Sequence, residues 1–158
     1  MKNGLSIILL LARLLIGGIL IYACIEKIVN PGEFARAIDN YHIIPLGLEN
    51  SMAIILPWLE LTIGIFLILG VFLDGASFLV IFMMMIFIIA ISYAILSGFN
   101  IECGCGLKPG ELVGVQKIIE DLTYLILAWM IIKRSNRKLE LFPKLCVVKG
   151  SWNRLIRY

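Results

Sequence analysis

The chain has 158 residues, of which 61% are hydrophobic and 16% charged, with a net charge of +3 and four cysteines. Soluble domains average about 45–50% apolar and about 25% charged residues, so both figures, with a mean hydropathy of +0.99, point to a bilayer. A soluble Rossmann enzyme, a nucleic-acid binder and a disulfide-stapled secreted miniprotein are thereby excluded.

Four stretches, 5–24, 51–73, 75–97 and 112–132, reach the roughly 20 apolar residues needed to cross a hydrocarbon core of about 30 Å. The first reads as a retained span, not a cleaved signal, because it outruns the usual apolar run of about 7–15 residues and contains Arg13. After it, Asn30-Pro31-Gly32-Glu33 predicts a helix start: Asn30 caps, Pro31 takes the first position and Glu33 returns the bond. Phe34, Ala37, Ile38 and Tyr41 then form an apolar face suited to the bundle mouth or the lipid interface, and Pro45 ends the helix. The third long stretch is apolar on every face, which fits a helix and not a membrane strand. The fold class read from this pattern is an all-α integral membrane protein. Its four-helix transmembrane domain spans residues 1–132, with a short extracytoplasmic amphipathic helix, and a basic cytoplasmic tail covers 133–158.

That tail carries eight basic side chains against Glu140, which puts it at +7 and the remainder of the chain at −4. A basic flank directly after a hydrophobic segment marks the cytoplasmic side. Four spans then put both termini in the cytoplasm, with the turn around 72–74, while the acidic loops 25–50 and 98–111 face outward. The lipid bilayer is thus an expected partner, and nucleic acid has no role.

Cys103-Gly104-Cys105 lies in the second outer loop among Gly98, Gly106, Pro109 and Gly110. Two cysteines separated by one glycine close a strained ring, and a strained, exposed disulfide exchanges readily outside the reducing cytoplasm. A static loop disulfide and two unpaired thiols remain alternatives. A metal site is disfavoured, because structural zinc takes four Cys or His ligands and the chain has a single histidine, His42. Cys24 ends the first span on the same side, either as a third redox thiol or as a small residue packed in the bundle. Cys146 lies on the cytoplasmic tail and joins neither.

Charges within spans usually face the bundle interior with a partner, which singles out Arg13, Glu60, Lys117, Glu120 and Asp121. Helical rise puts Arg13 about 18 Å and Glu60 about 14 Å below the outer boundary, within side-chain reach of each other. Lys117 and Asp121 stand at i and i+4 and are expected to pair. The cluster reads either as glue between helices or as a proton path or quinone site.

The string Ala23-Cys24-Ile25-Glu26-Lys27 with Asn30-Pro31, Phe34, Tyr41 and Pro45, followed by Leu56-Pro57-Trp58-Leu59-Glu60, Gly64, Gly70 and Cys103-Gly104-Cys105-Gly106, resembles the MauE branch of the DoxX-like membrane proteins. The resemblance covers about residues 9–130 and omits the basic tail. It implies a four-helix bundle engaged in extracytoplasmic thiol–disulfide chemistry beside thioredoxin-like partners, with relatives in quinone-linked sulfur oxidation. It carries the family's redox pair onto Cys103 and Cys105, its membrane arginine onto Arg13, its loop lysine onto Lys27 and its Pro-Trp-Leu-Glu acid onto Glu60. Cys24 stands where relatives more often have a small residue such as glycine.

The function expected is a thiol–disulfide oxidoreductase that exchanges electrons between an extracytoplasmic thioredoxin-like protein and a membrane acceptor, with a quinone as the candidate cofactor. In it, Cys103, Cys105 and Cys24 carry the chemistry and Lys27 stabilises a thiolate at the outer boundary. Arg13, Glu60, Lys117 and Asp121 support them. The alternatives are a non-catalytic membrane subunit that docks or stabilises a redox or maturation partner, and a small-solute carrier, which the lack of repeated halves disfavours.

Overall fold

The computed structural model of the chain describes residues 2–43, 45, 47–98 and 114–133. Every regular element in them is a helix: α1 (Lys2–Val29), α2 (Pro31–Asp39), α3 (Glu49–Leu69), α4 (Leu73–Leu96) and α5 (Val115–Ile132). Three of these, α1, α3 and α4, are long and apolar enough to cross a membrane. The fourth long helix, α5, has Lys117, Glu120 and Asp121 in its first two turns and does not meet that composition.

α1 packs most extensively on α3, and α4 on α5, so the bundle is built from two helix pairs. Their common core contains Ile16, Leu20, Ile63, Leu67, Val80, Met84, Ala128 and Ile131. Ile8, Leu11, Trp58, Phe82, Ile89 and Ile126 stand exposed on the outside, as a lipid-facing surface requires. Gly17 and Gly64 set the α1–α3 spacing. A Cβ added at Gly17 would lie 2.8 Å from the Gly64 carbonyl oxygen, and one added at Gly64 would lie 2.9 Å from that of Gly17. Small residues at a crossing let two backbones approach this closely.

Gly70 closes α3 in the left-handed region at φ 72°, where a glycine carries no Cβ penalty. Val71 N–H then donates to the Phe66 carbonyl at 3.0 Å, and Phe72 (φ 51°) completes the reversal into α4. The turn therefore falls earlier than the expected 72–74, and Asp74 belongs to the first turn of α4.

α2 starts at Pro31 as expected, but Asn30 makes no side-chain cap bond. It ends at Asp39, well before Pro45. Its apolar face lies on the bundle: Phe34, Ala35 and Ile38 are buried with Ala53, against Met52 and Leu56 of α3. Cys103, Cys105 and Cys146, and all of the basic tail except Lys133, lie outside the described residues.

Candidate functional site

No helix breaker separates Cys24 from Asn30, so α1 runs on through Ile25-Glu26-Lys27-Ile28-Val29 instead of stopping at residue 24. The extra turn changes which charges meet. Lys27 is 5% exposed, and its Nζ donates to Glu60 Oε1 at 2.8 Å and Oε2 at 2.9 Å. The ammonium also lies 5.0 Å from the ring centre of Phe34 and 5.9 Å from that of Phe87, within cation–π range.

This corrects the expected pairing of Arg13 with Glu60. Arg13 Nε donates instead to the Leu67 carbonyl at 3.1 Å. In the antiparallel α1–α3 pair, Leu67 lies seven residues beyond Glu60, roughly 10 Å along the axis. Depths counted from assumed span ends missed a register fixed by the glycine crossing. Lys27, expected at the outer boundary, is buried in the bundle and paired with Glu60.

At the neighbouring α5, Lys117 Nζ contacts Glu120 Oε2 at 2.9 Å, an i, i+3 pair. Asp121, the expected i+4 partner, keeps its Oδ2 buried with no hydrogen-bond partner. The two groups share a cavity of about 50 Å³ lined by Lys27, Glu60, Lys117, Glu120, Asp121 and Tyr124 among apolar residues of α1 and α4. That is room for about one or two water molecules. Two ammonium and three carboxyl groups thus face one small chamber, at the end of the bundle where α4 leaves and α5 re-enters.

A second, larger cavity of about 240 Å³ lies between α2, α3 and α4, lined by Lys27, Tyr41 and otherwise apolar side chains. Lys27 and Phe87 border both. Burial, reinforced by the Asp121 carboxylate, pushes the Tyr41 phenol up to about 12.

Cys24 is completely buried, and its thiol donates to the Ile21 carbonyl at 3.1 Å. It stands one turn before Lys27, at the same end of the bundle. Sequence reasoning left Glu120 without a partner and gave Phe34, Tyr41 and Phe87 no part in a site. The i, i+3 spacing of Lys117 and Glu120 was the available signal for the first, and only the packing of α2 reveals the others.

The family model for the methylamine utilisation protein MauE matches residues 5–134, most of the chain. The chain belongs to the MauE family. It is 34% identical over 84 residues to the methylamine utilization protein MauE of Methylorubrum extorquens, covering 52% of this chain and 45% of that one. With the MauE of Methylophilus methylotrophus it shares 31% identity over 114 residues, or 70% of this chain and 60% of the relative. The chain thus spans about half the length of the curated relatives it matches. No solved structure matches it. The MauE match takes in α1 from Leu5 onward, α2 to α5 and the Cys-Gly-Cys segment, and leaves out the basic tail beyond residue 134.

Proposed function

We propose that this MauE-family membrane protein is a thiol–disulfide oxidoreductase passing electrons between an extracytoplasmic thioredoxin-like protein and a membrane acceptor through Cys103 and Cys105. The observation that carries this reading is the placement of Lys27, Glu60, Lys117, Glu120 and Asp121 around one chamber at the end of the bundle that bears the 98–114 connection. Oxidising a dithiol releases two electrons and two protons, and carboxyl groups at that end can take up and pass on the protons. The membrane acceptor gains both electrons and both protons, and a quinone has that capacity.

In this reading α5 is the fourth crossing. Its charges turn toward the bundle while Ile119, Leu122, Ile126 and Trp129 face outward. Both termini are cytoplasmic and the Cys-Gly-Cys loop is extracytoplasmic in a prokaryotic plasma membrane. The buried Cys24 is reached only when that end of the bundle opens, so a bridge from Cys24 to the loop is a minor species on the route to the membrane acceptor.

Redox titration of the purified protein with non-reducing peptide mapping tests the assignment. A single two-electron transition joining Cys103 to Cys105, lost in Cys103→Ser and in Cys105→Ser, is expected. Thiols that never pair across the titration would overturn it and leave the second reading, a membrane subunit that docks or stabilises a partner. The names of the matched relatives, which describe a utilisation pathway and no reaction, favour that alternative.

A further inference from the structure

α2 packs on α3 and α1, but its backbone makes no close approach to α4. The cavity of about 240 Å³ is the gap that this leaves. Lys27 and Tyr41 bring its polar atoms, and every other lining side chain is hydrocarbon or thioether. Glu60, which holds the Lys27 ammonium, does not line it. Apolar cavities of this kind stay dry and take up apolar molecules, and left empty they cost the lining side chains their packing contacts on one side. The gap therefore calls for a hydrocarbon occupant.

Its shape narrows the choice. Met83, Ile86, Phe87, Ala90 and Ile91 line it at i, i+3, i+4, i+7 and i+8, one face of α4 over about 12 Å of helix axis. Met52 and Leu56 add a matching stretch of α3, one turn apart. The cavity is thus a slot along the helix axes, the direction in which lipid chains run in a bilayer. Met83 and Ile91 are 3% and 2% exposed at its inner wall, whereas Ile86 is 44% exposed and Ile43 47%. The slot therefore opens through the exterior that faces lipid. α2, which roofs it, turns Glu33, Arg36 and Asp39 outward, as a helix at headgroup level does.

We propose that this slot binds one acyl chain of a membrane phospholipid, with the headgroup beside α2 and the chain lying along α4 between Ile91 and Met83. The chain supplies the packing partner that α2 lacks on the side of α4, and so holds Phe34 over the Lys27 ammonium. Such a lipid is a fixed part of the fold, distinct from the exchanging lipids around it. The site goes beyond the redox reading and needs neither Cys103 nor Cys105.

The test follows phospholipid by native mass spectrometry while the purified protein is washed with lipid-free detergent and then titrated with palmitoyl-oleoyl phosphatidylethanolamine. One phospholipid per chain is expected to outlast the rest, and the added lipid should rebind with a one-to-one limit and raise the melting temperature of the stripped protein. Ala90→Phe fills the slot from α4. Displacing about two methylenes should weaken binding about tenfold and remove the lipid-dependent rise in melting temperature. Ala37→Leu makes the same test from α2 with a smaller side chain. Ile126→Phe, on the exposed face of α5 and outside the slot, is the control and should hold the lipid as the parent does. A parent that keeps no phospholipid, equal retention in parent and either filled variant, or an equal loss in Ile126→Phe overturns the proposal. A retained mass of quinone or free fatty acid, or a dimer lost on filling the slot, gives the cavity to another occupant and overturns it too.

Discussion

Removing one member of the Lys27–Glu60 pair leaves the other charged and buried, which in protein interiors costs about 3–5 kcal/mol. Glu60→Gln and Lys27→Met should each lower the melting temperature of detergent-solubilised protein sharply, and the double substitution should recover most of the loss. Additive losses in a double-mutant cycle would show that the two groups are uncoupled. Tyr41 gives a readout of the same region through pH. Its phenol is held protonated by burial and by Asp121, so the folded state binds that proton more tightly than the unfolded chain. The resulting stabilisation is present below the ordinary phenol pKa near 10 and is lost as pH rises toward 12. In an alkaline titration followed by tyrosinate absorbance, Tyr41→Phe should remove a late-ionising phenol, and Asp121→Asn should move that phenol's ionisation to lower pH. No change in either variant would separate Tyr41 from Asp121.

At the level of helices, Gly17 and Gly64 hold α1 against α3 at a distance that places Lys27 beside Glu60. Gly64→Ala should cost about 1–3 kcal/mol through overpacking. Gly18→Ala is the control: it points into open space, and alanine's better helix propensity makes it neutral or slightly stabilising. Thermal melts of the two variants that coincide would remove the crossing as the determinant of register. The helices themselves were legible as long apolar runs, but not all of their ends were: the first run is expected to end at 24 and the second at 73, whereas α1 continues to Val29 and α3 closes at Leu69. Which charges meet was not legible. Arg13 and Glu60 have suitable depths when each span is counted alone, but register between helices depends on where two backbones can touch, and that is a property of Gly17 and Gly64 together. Similarly, the apolar face of α2 was visible in Phe34, Ala37 and Ile38, whereas its burial against Ala53 and Leu56 to roof a cavity depends on tertiary packing.

Across the whole molecule, the extensive contacts run within α1–α3 and within α4–α5, and the contacts between the two pairs are fewer. Both cavities lie along that seam, each lined by residues from α4 and from the first pair. Composition and span count gave the membrane class and the all-helical fold, but a bundle of four long helices can pair in several ways, and nothing in residue spacing selects this one. The pairing has a consequence for how the protein can be made. Lys27 meets Glu60 inside the first hairpin, and Lys117 meets Glu120 inside the second, so each hairpin carries both partners of its own ion pair. A chain cut in the short reversal at Val71–Phe72 would send neither ammonium into the bilayer without its carboxylate. Two separately encoded polypeptides, 1–71 and 72–158, should therefore co-purify as a reassembled bundle when expressed together, whereas a cut between Lys27 and Glu60, in the 40–48 connection, should yield markedly less.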